Sequence, residues 1–271
     1  MSSTTVSISG QGLNSPHLCR VDLSRGEAGT GLQIFLEDQS VPWWANAFPG
    51  EVSAQRTTIL HHQGQNLRGM EHLSVALAAW PRADAVVRIF GGDIPILDGS
   101  AQPWVNALTQ ILGKSPGFAL QKCNLEYEEH WPSGYIKAKP YHKLCINLSL
   151  GMWKGGAPMV CEINPGDFIP EIFLARTFIT EKEWEGALKS GLLQGAQEDC
   201  GILLKAEKDH WGLAVGGAFR HPDEPLWHKC ADLLGDLSFL GRQFPRLHIE
   251  IHNGGHAIHH KLMQRIRNVI T

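Results

Sequence analysis

The sequence predicts an α+β protein arranged as two successive domains, 1–121 and 122–271. Three observations predict it. The 271 residues exceed the roughly 100–200 of an ordinary single domain. Segments of helical and strand periodicity mix in both halves, without the strict alternation that a parallel doubly wound sheet demands. Turn-forming residues then punctuate the middle of the chain: Gly113-Lys114-Ser115-Pro116-Gly117 closes one unit, and Pro132-Ser133-Gly134 turns the chain early in the next.

The elements follow in order. Apolar alternation predicts strands over 6–9 and 32–37, then a helix over 69–80 and a strand over 85–90. A helix over 103–112 opens with Pro103, whose fixed φ suits a first turn. Past the break, strands are expected over 135–139, 143–150 and 159–163. Helices are expected over 181–190, 226–240 and 256–269, with strands over 201–205 and 247–252 between them.

Composition excludes several classes. With 43% hydrophobic and 19% charged residues and a formal net charge of −3, the chain can bury a core but projects no basic field, so nucleic acid is not an expected partner. No run approaches 18 apolar residues, and the N-terminus lacks a basic stretch followed by an apolar one, so neither a membrane span nor a secretory leader is expected. Six scattered cysteines without Cys-x-x-Cys spacing read as reduced, buried thiols, in keeping with a cytoplasmic protein. The unusual count is 14 histidines against 3 tyrosines. Histidine is the commonest metal ligand and titrates near neutrality.

The segment 226–237 is apolar over most of a helical circumference, which implies burial. Yet His228, Asp232 and Asp236 recur at i, i+4, i+8 along one edge. Buried imidazoles and carboxylates must be paired, hydrogen-bonded or metal-bound. A His–Asp cap or surface stripe and a metal site both fit this spacing. Met70-Glu71-His72-Leu73 opens another apolar helix, where an imidazole can bind a metal while the neighbouring carboxylate takes a proton from water. A simple surface pair is the competing account. Asn253-Gly254-Gly255-His256 places a histidine at a helix start, where the dipole disfavours its charged form unless a carboxylate such as Asp236 compensates; a Gly-rich turn with a capping histidine is the alternative. His259 and His260 are expected to be solvated. Taken together, two histidines and an aspartate for a metal, a glutamate beside them and a further His–Asp pair form the composition of a catalytic zinc site with an open position.

These residues resemble the UDP-3-O-acyl-N-acetylglucosamine deacetylases of bacterial lipid A biosynthesis, almost end to end. The resemblance rests on Ser9-Gly10-Gln11-Gly12-Leu13, Met70-Glu71-His72-Leu73, and the run from Pro95 through Asp98-Gly99-Ser100 to Pro103. It continues in Ala175-Arg176-Thr177-Phe178, in His228-Lys229-x-x-Asp232-x-x-Gly235-Asp236, and in Gly255-His256-Ala257 with Lys261-Leu262. It implies two similar two-layer α/β sandwich domains with the active site between them. It implies a zinc ion, with iron(II) as the alternative, on His72, His228 and Asp232. Glu71 would be the general base, Thr177 a donor to the developing oxyanion, and His256, oriented by Asp236, the acid. Lys229 would contact the sugar or phosphate region, and the implied protein is a monomer of the bacterial cytoplasm acting on a small-molecule nucleotide sugar.

The departures from the family pattern lie away from that chemistry. Asn14-Ser15-Pro16 replaces the usual His-Ser/Thr-Gly. Ile179 follows Phe178 where a glycine is usual, and Leu193 and Ala196 stand where smaller residues flank the acyl passage. Extra atoms in a passage for a hydrocarbon tail are poorly tolerated. Gly151–Gly156 also differs from the usual insert that covers the acyl chain. The expected activity is N-deacetylation of UDP-3-O-acyl-N-acetylglucosamine. The alternatives are a related metal-dependent deacetylase acting on an N-acetyl sugar without the long acyl chain, and a non-catalytic sugar-binding relative.

Overall fold

A computed structural model of the chain describes residues 4–37, 48–49, 57–62, 65–153, 158–207, 211–215 and 217–270. In the first half come β1 (Thr5–Gly12), β2 (Ser15–Arg25), β3 (Leu32–Leu36), β4 (Phe48–Pro49), β5 (Ile59–His62), β6 (Gln65–Arg68), helix α1 (Met70–Ala78), β7 (Ala85–Phe90), α2 (Gln102–Leu112) and β8 (Ala119–Gln121). The second half holds β9 (Tyr127–Trp131), β10 (Gly134–Pro140), β11 (Leu144–Ser149), β12 (Met159–Ile163), α3 (Pro170–Leu174), β13 (Phe178–Thr180), α4 (Glu181–Lys189), β14 (Ile202–Ala206) and β15 (Trp211–Val215). It ends with α5 (Glu224–Leu237), a 3₁₀ turn (Ser238–Leu240), β16 (Gln243–Pro245), β17 (Leu247–His252) and α6 (His256–Ile270).

The chain is α+β, with two principal sheets. One has the order β1-β2-β7-β3, antiparallel except for the β3–β7 pair; the other has the order β12-β11-β17-β10-β9, with β11 and β17 parallel. Smaller sheets join β4-β5-β6, β13-β14-β15 and β8-β16. Along β7 buried and less buried residues alternate, and along β1 half-buried and exposed ones do, as expected of a sheet with one face towards the core. Helix α2 lies against β1 and β2, while α5 lies against β11 and α6 against α5. Helix α1 packs on both α2 and α5, so the helical layers of the two halves meet at the centre and share one continuous core.

That central meeting is close. A Cβ on Gly235 of α5 would come within 2.4 Å of the Glu71 carbonyl oxygen on α1, so only glycine lets the two backbones approach this far. The sequence reading of 85–90, 159–163 and 247–252 coincides with the strands found. The helix expected over 226–240 starts earlier, at Glu224 with a proline in its first turn. It ends at Leu237, the remainder being the 3₁₀ turn. All six cysteines are free and five of them are buried. No helix among the described residues is long and apolar enough to cross a membrane. The departure at Gly151–Gly156 lies partly outside the described residues, from Lys154 to Gly156.

Candidate active site

The meeting of α1, α5 and α6 brings two clusters together. In the first, His72 from α1 and His228 and Asp232 from α5 each offer one ligand atom, and these atoms lie within 4.8 Å of one another. All three residues are buried. The two imidazoles meet edge to face with centroids 5.2 Å apart, and His228 Nε2 lies 3.3 Å from Asp232 Oδ1. Burial pushes His228 down to about 3, against the pull of Asp232, so at neutral pH its ring is uncharged and carries a free lone pair. Burial opposes the charge of Asp232, but His228 and the Lys229 ammonium outweigh it and hold the carboxyl well below the usual range. Two imidazoles and one carboxylate, buried and convergent, are a donor set that fits a divalent metal with one coordination position left open.

Glu71 precedes His72 in the first turn of α1, and it is buried and fixed. Thr57 Oγ1 donates to its Oε1 at 2.7 Å, and the Thr58 backbone N–H donates to its Oε2 at 3.1 Å. A cleft lined by Asn14, Arg68, Asp93 and Ile94 opens onto Glu71 and His72.

The second cluster surrounds Asp236, which is fully buried one turn beyond Asp232. His256 Nδ1 and His259 Nδ1 each lie 2.8 Å from its Oδ2. Its Oδ1 accepts from Thr58 Oγ1 in a short hydrogen bond and from His260 Nε2 at 3.2 Å. One atom each of Asp236, His256 and His259 also lie close enough together to hold a metal. However, 2.8 Å is N–H···O spacing, and both carboxylate oxygens are already engaged, so the cluster is a hydrogen-bonded one. Burial alone would discharge His256. The Asp236 carboxylate more than reverses this, helped by Asp232 and Glu71, and raises His256 to about 9. Burial opposes the charge of Asp236 too, yet His256 and the three side-chain hydrogen bonds from the histidines hold its carboxyl well below its usual range.

His259 and His260, expected to be solvated, are buried. The face of α6 that carries them packs on α5, where Asp236 supplies the acceptor that makes burial tolerable. Sequence reasoning also missed Thr57 and Thr58, because two hydroxyls ahead of a short strand carry no signal of their own. For the histidines the signal was present: Asp236 is an apolar-helix carboxylate, and 256, 259 and 260 share one helical face at i, i+3, i+4.

The remaining predicted residues fall around these clusters. Lys229 Nζ lies 2.9 Å from Asp232 Oδ2 and 5.6 Å from the centroid of the Phe178 ring, which in turn stands 6.0 Å from the His228 ring. Thr177 ties the run from Pro95 to Pro103 to this edge, its N–H donating to the Gly99 carbonyl at 2.6 Å. The adjacent Arg176 forms a buried ion pair with Glu224 at the start of α5, with Nε to Oε1 at 2.8 Å. Ile179 pairs with Leu203 in the small β13-β14 sheet. Leu193 and Ala196 lie on the loop before β14. That loop is clamped to the β1–β2 turn: the Leu193 N–H donates to Asn14 Oδ1 at 3.0 Å and the Gly195 N–H to the Leu13 carbonyl at 3.3 Å.

A buried two-histidine, one-aspartate donor set, a fixed carboxylate beside it and an imidazolium–carboxylate pair are together the equipment of a metal-dependent hydrolase. A family model of the UDP-3-O-acyl N-acetylglycosamine deacetylases matches residues 3–268, and the chain belongs to that family. It is 30% identical to the UDP-3-O-acyl-N-acetylglucosamine deacetylase of Trichormus variabilis, over 95% of this chain and 94% of that protein. It is 28% identical to the enzyme of that name from Thermosynechococcus vestitus, over 97% and 91%. With the one from Thermodesulfovibrio yellowstonii the identity is 27%, over 96% and 89%. Members of the family are metal-dependent amidohydrolases.

Proposed function

We propose that this chain removes the acetyl group from UDP-3-O-acyl-N-acetylglucosamine in lipid A biosynthesis, at a zinc ion held by His72, His228 and Asp232. The observation that carries the reading is the convergence of those three ligand atoms beside Glu71, within a family of deacetylases. Imidazole and carboxylate donors accept iron(II) as well as zinc. A bound ion would supply Lewis acidity to the acetamide carbonyl and to the attacking water. Glu71, oriented by Thr57 and Thr58, takes the proton from that water. Thr177 donates to the oxyanion as charge develops there. His256, with Nδ1 committed to Asp236, has Nε2 left to protonate the departing amine, and its elevated basicity keeps that proton available at neutral pH. Lys229 and Phe178 border the sugar and phosphate region. Ile179, Leu193 and Ala196 border the acyl passage. The two halves, divided at 121/122, act as a monomer in the bacterial cytoplasm.

Turnover of Glu71→Ala tests the base assignment. Loss of roughly 10²–10⁴ in rate is expected from removing a positioned base; wild-type turnover on the confirmed substrate overturns it. One observation favours a second reading, an N-acetyl sugar without the long acyl chain: Asn14 pins Leu193 beside the cleft. Comparing 3-O-acylated with unacylated UDP-N-acetylglucosamine separates the two, and a strong preference for the acylated substrate sinks the second.

A further inference from the structure

Asp236 carries more partners than an orienting carboxylate needs. An ionised carboxylate is an acceptor with about four lone-pair positions. Thr58 and His260 take those on Oδ1, and His256 and His259 take those on Oδ2. Every one of the four must therefore be a donor, which sets the tautomers: His256 and His259 carry hydrogen on Nδ1, and His260 carries it on Nε2. The arrangement costs stability at one point, because His260 Nδ1 is buried with no hydrogen-bond partner. A purely structural side chain at 260 would fill this space without that cost.

We propose that His259 and His260 are positioning residues, which fill the acceptor positions of Asp236 left by His256 and Thr58 and so fix the Asp236–His256 pair with the shared proton on His256. The proposal rests on the reading of His256 as the acid. The groups that face His256 are Asp236 and Asp232 on α5, Glu71 on α1, and His259 and His260 on its own helix, with the uncharged Thr58 ahead of β5. Only one imidazolium is matched to the Asp236 charge. Burial and the charge on His256 keep His259 neutral, although Asp236 pulls the other way, so it serves as a neutral donor. Each additional donor spreads the charge of Asp236 and weakens its hold on the His256 proton.

The tests follow from atom placement. In His259→Asn the amide nitrogen falls where Nδ1 lies, and in His260→Gln it falls close to Nε2, so both keep a donor; His259→Leu and His260→Leu remove it. The readouts, on metal-loaded protein, are the pH profile of kcat/KM and the ¹⁵N titration of the His256 ring. Losing one donor to a carboxylate strengthens its hold on the remaining proton, so His259→Leu is expected to move the basic limb and the His256 midpoint up by ~0.5–1 pH unit. His260→Leu should give a smaller shift in the same direction, and the Asn and Gln variants should stay close to wild type. Basic limbs and midpoints that stay put, or move down, in both leucine variants overturn the proposal. If His259→Leu does not fold, His260→Leu against His260→Gln makes the same decision. His256→Ala is the control: retained turnover means the acid assignment is wrong, and the ring titration then decides the positioning claim by itself.

Discussion

Asp232 and Asp236 sit one turn apart on the same helix and are both buried, yet their surroundings differ and the proposed function gives them opposite roles. Around Asp232 the neighbours are a neutral imidazole with a free lone pair, a second imidazole from α1 and a lysine. One ligand atom each of His72, His228 and Asp232 converge there, a donor set that suits a cation. Around Asp236 all the neighbours are N–H or O–H donors and one is charged, which leaves no position for a cation. Residue type and burial are shared; in the proposed reading, the protons carried by the partners separate a ligand from a proton anchor.

The comparison can be broken most severely at Asp236. Asp236→Asn keeps the shape but removes the charge that raises His256 to about 9. The folded value then falls towards or below 6.5, and the rate at neutral pH should drop by roughly 10²–10⁴, the usual worth of a positioned acid. The sign for stability follows from the raised value. The contribution of protonated His256 is full below about pH 6.5 and is lost as pH rises through about 9. Denaturation of wild type between pH 6 and 10 should show that loss, and the variant should not.

A milder disturbance falls between the two aspartates. Gly235→Ala drives a Cβ into the Glu71 carbonyl. It should cost about 1–3 kcal/mol in chemical denaturation, as overpacking does, and should also lower kcat by displacing the base. The smallest effect is expected at the wall of the cleft, outside both clusters. Asn14→Ala removes one hydrogen bond to the Leu193 loop, worth roughly 0.5–1.5 kcal/mol, and should relax discrimination among acyl lengths while leaving the pH profile unchanged.

The same contrast explains what could be read from sequence. The i, i+4, i+8 stripe on an apolar helix was legible because helical periodicity puts His228, Asp232 and Asp236 on one edge whatever packs against them. Strand β17 was legible because its alternation is strict. Strand β2 was not, since Ser15-Pro16-His17-Leu18 begins it with exposed residues and only its later part turns apolar residues inward. The partners of Asp236 required tertiary knowledge. Whether a histidine on α6 meets water or a carboxylate depends on which face α5 presents, and Thr58 reaches the cluster from 178 residues away in sequence. The Glu71-His72 pair gave a local hint of a base beside a ligand, whereas the role proposed for Thr177 came from the family pattern alone.

If Asp232 holds a metal and Asp236 instead anchors the proton on His256, metal content separates the two directly. Wild type, Asp232→Ala and Asp236→Asn, each purified and analysed by mass spectrometry of bound metals, should carry about one, essentially none and about one ion per chain, because a three-ligand site loses its ion with a ligand and not with a neighbour of the site. Full metal in Asp232→Ala, or an empty Asp236→Asn, would contradict that division of roles.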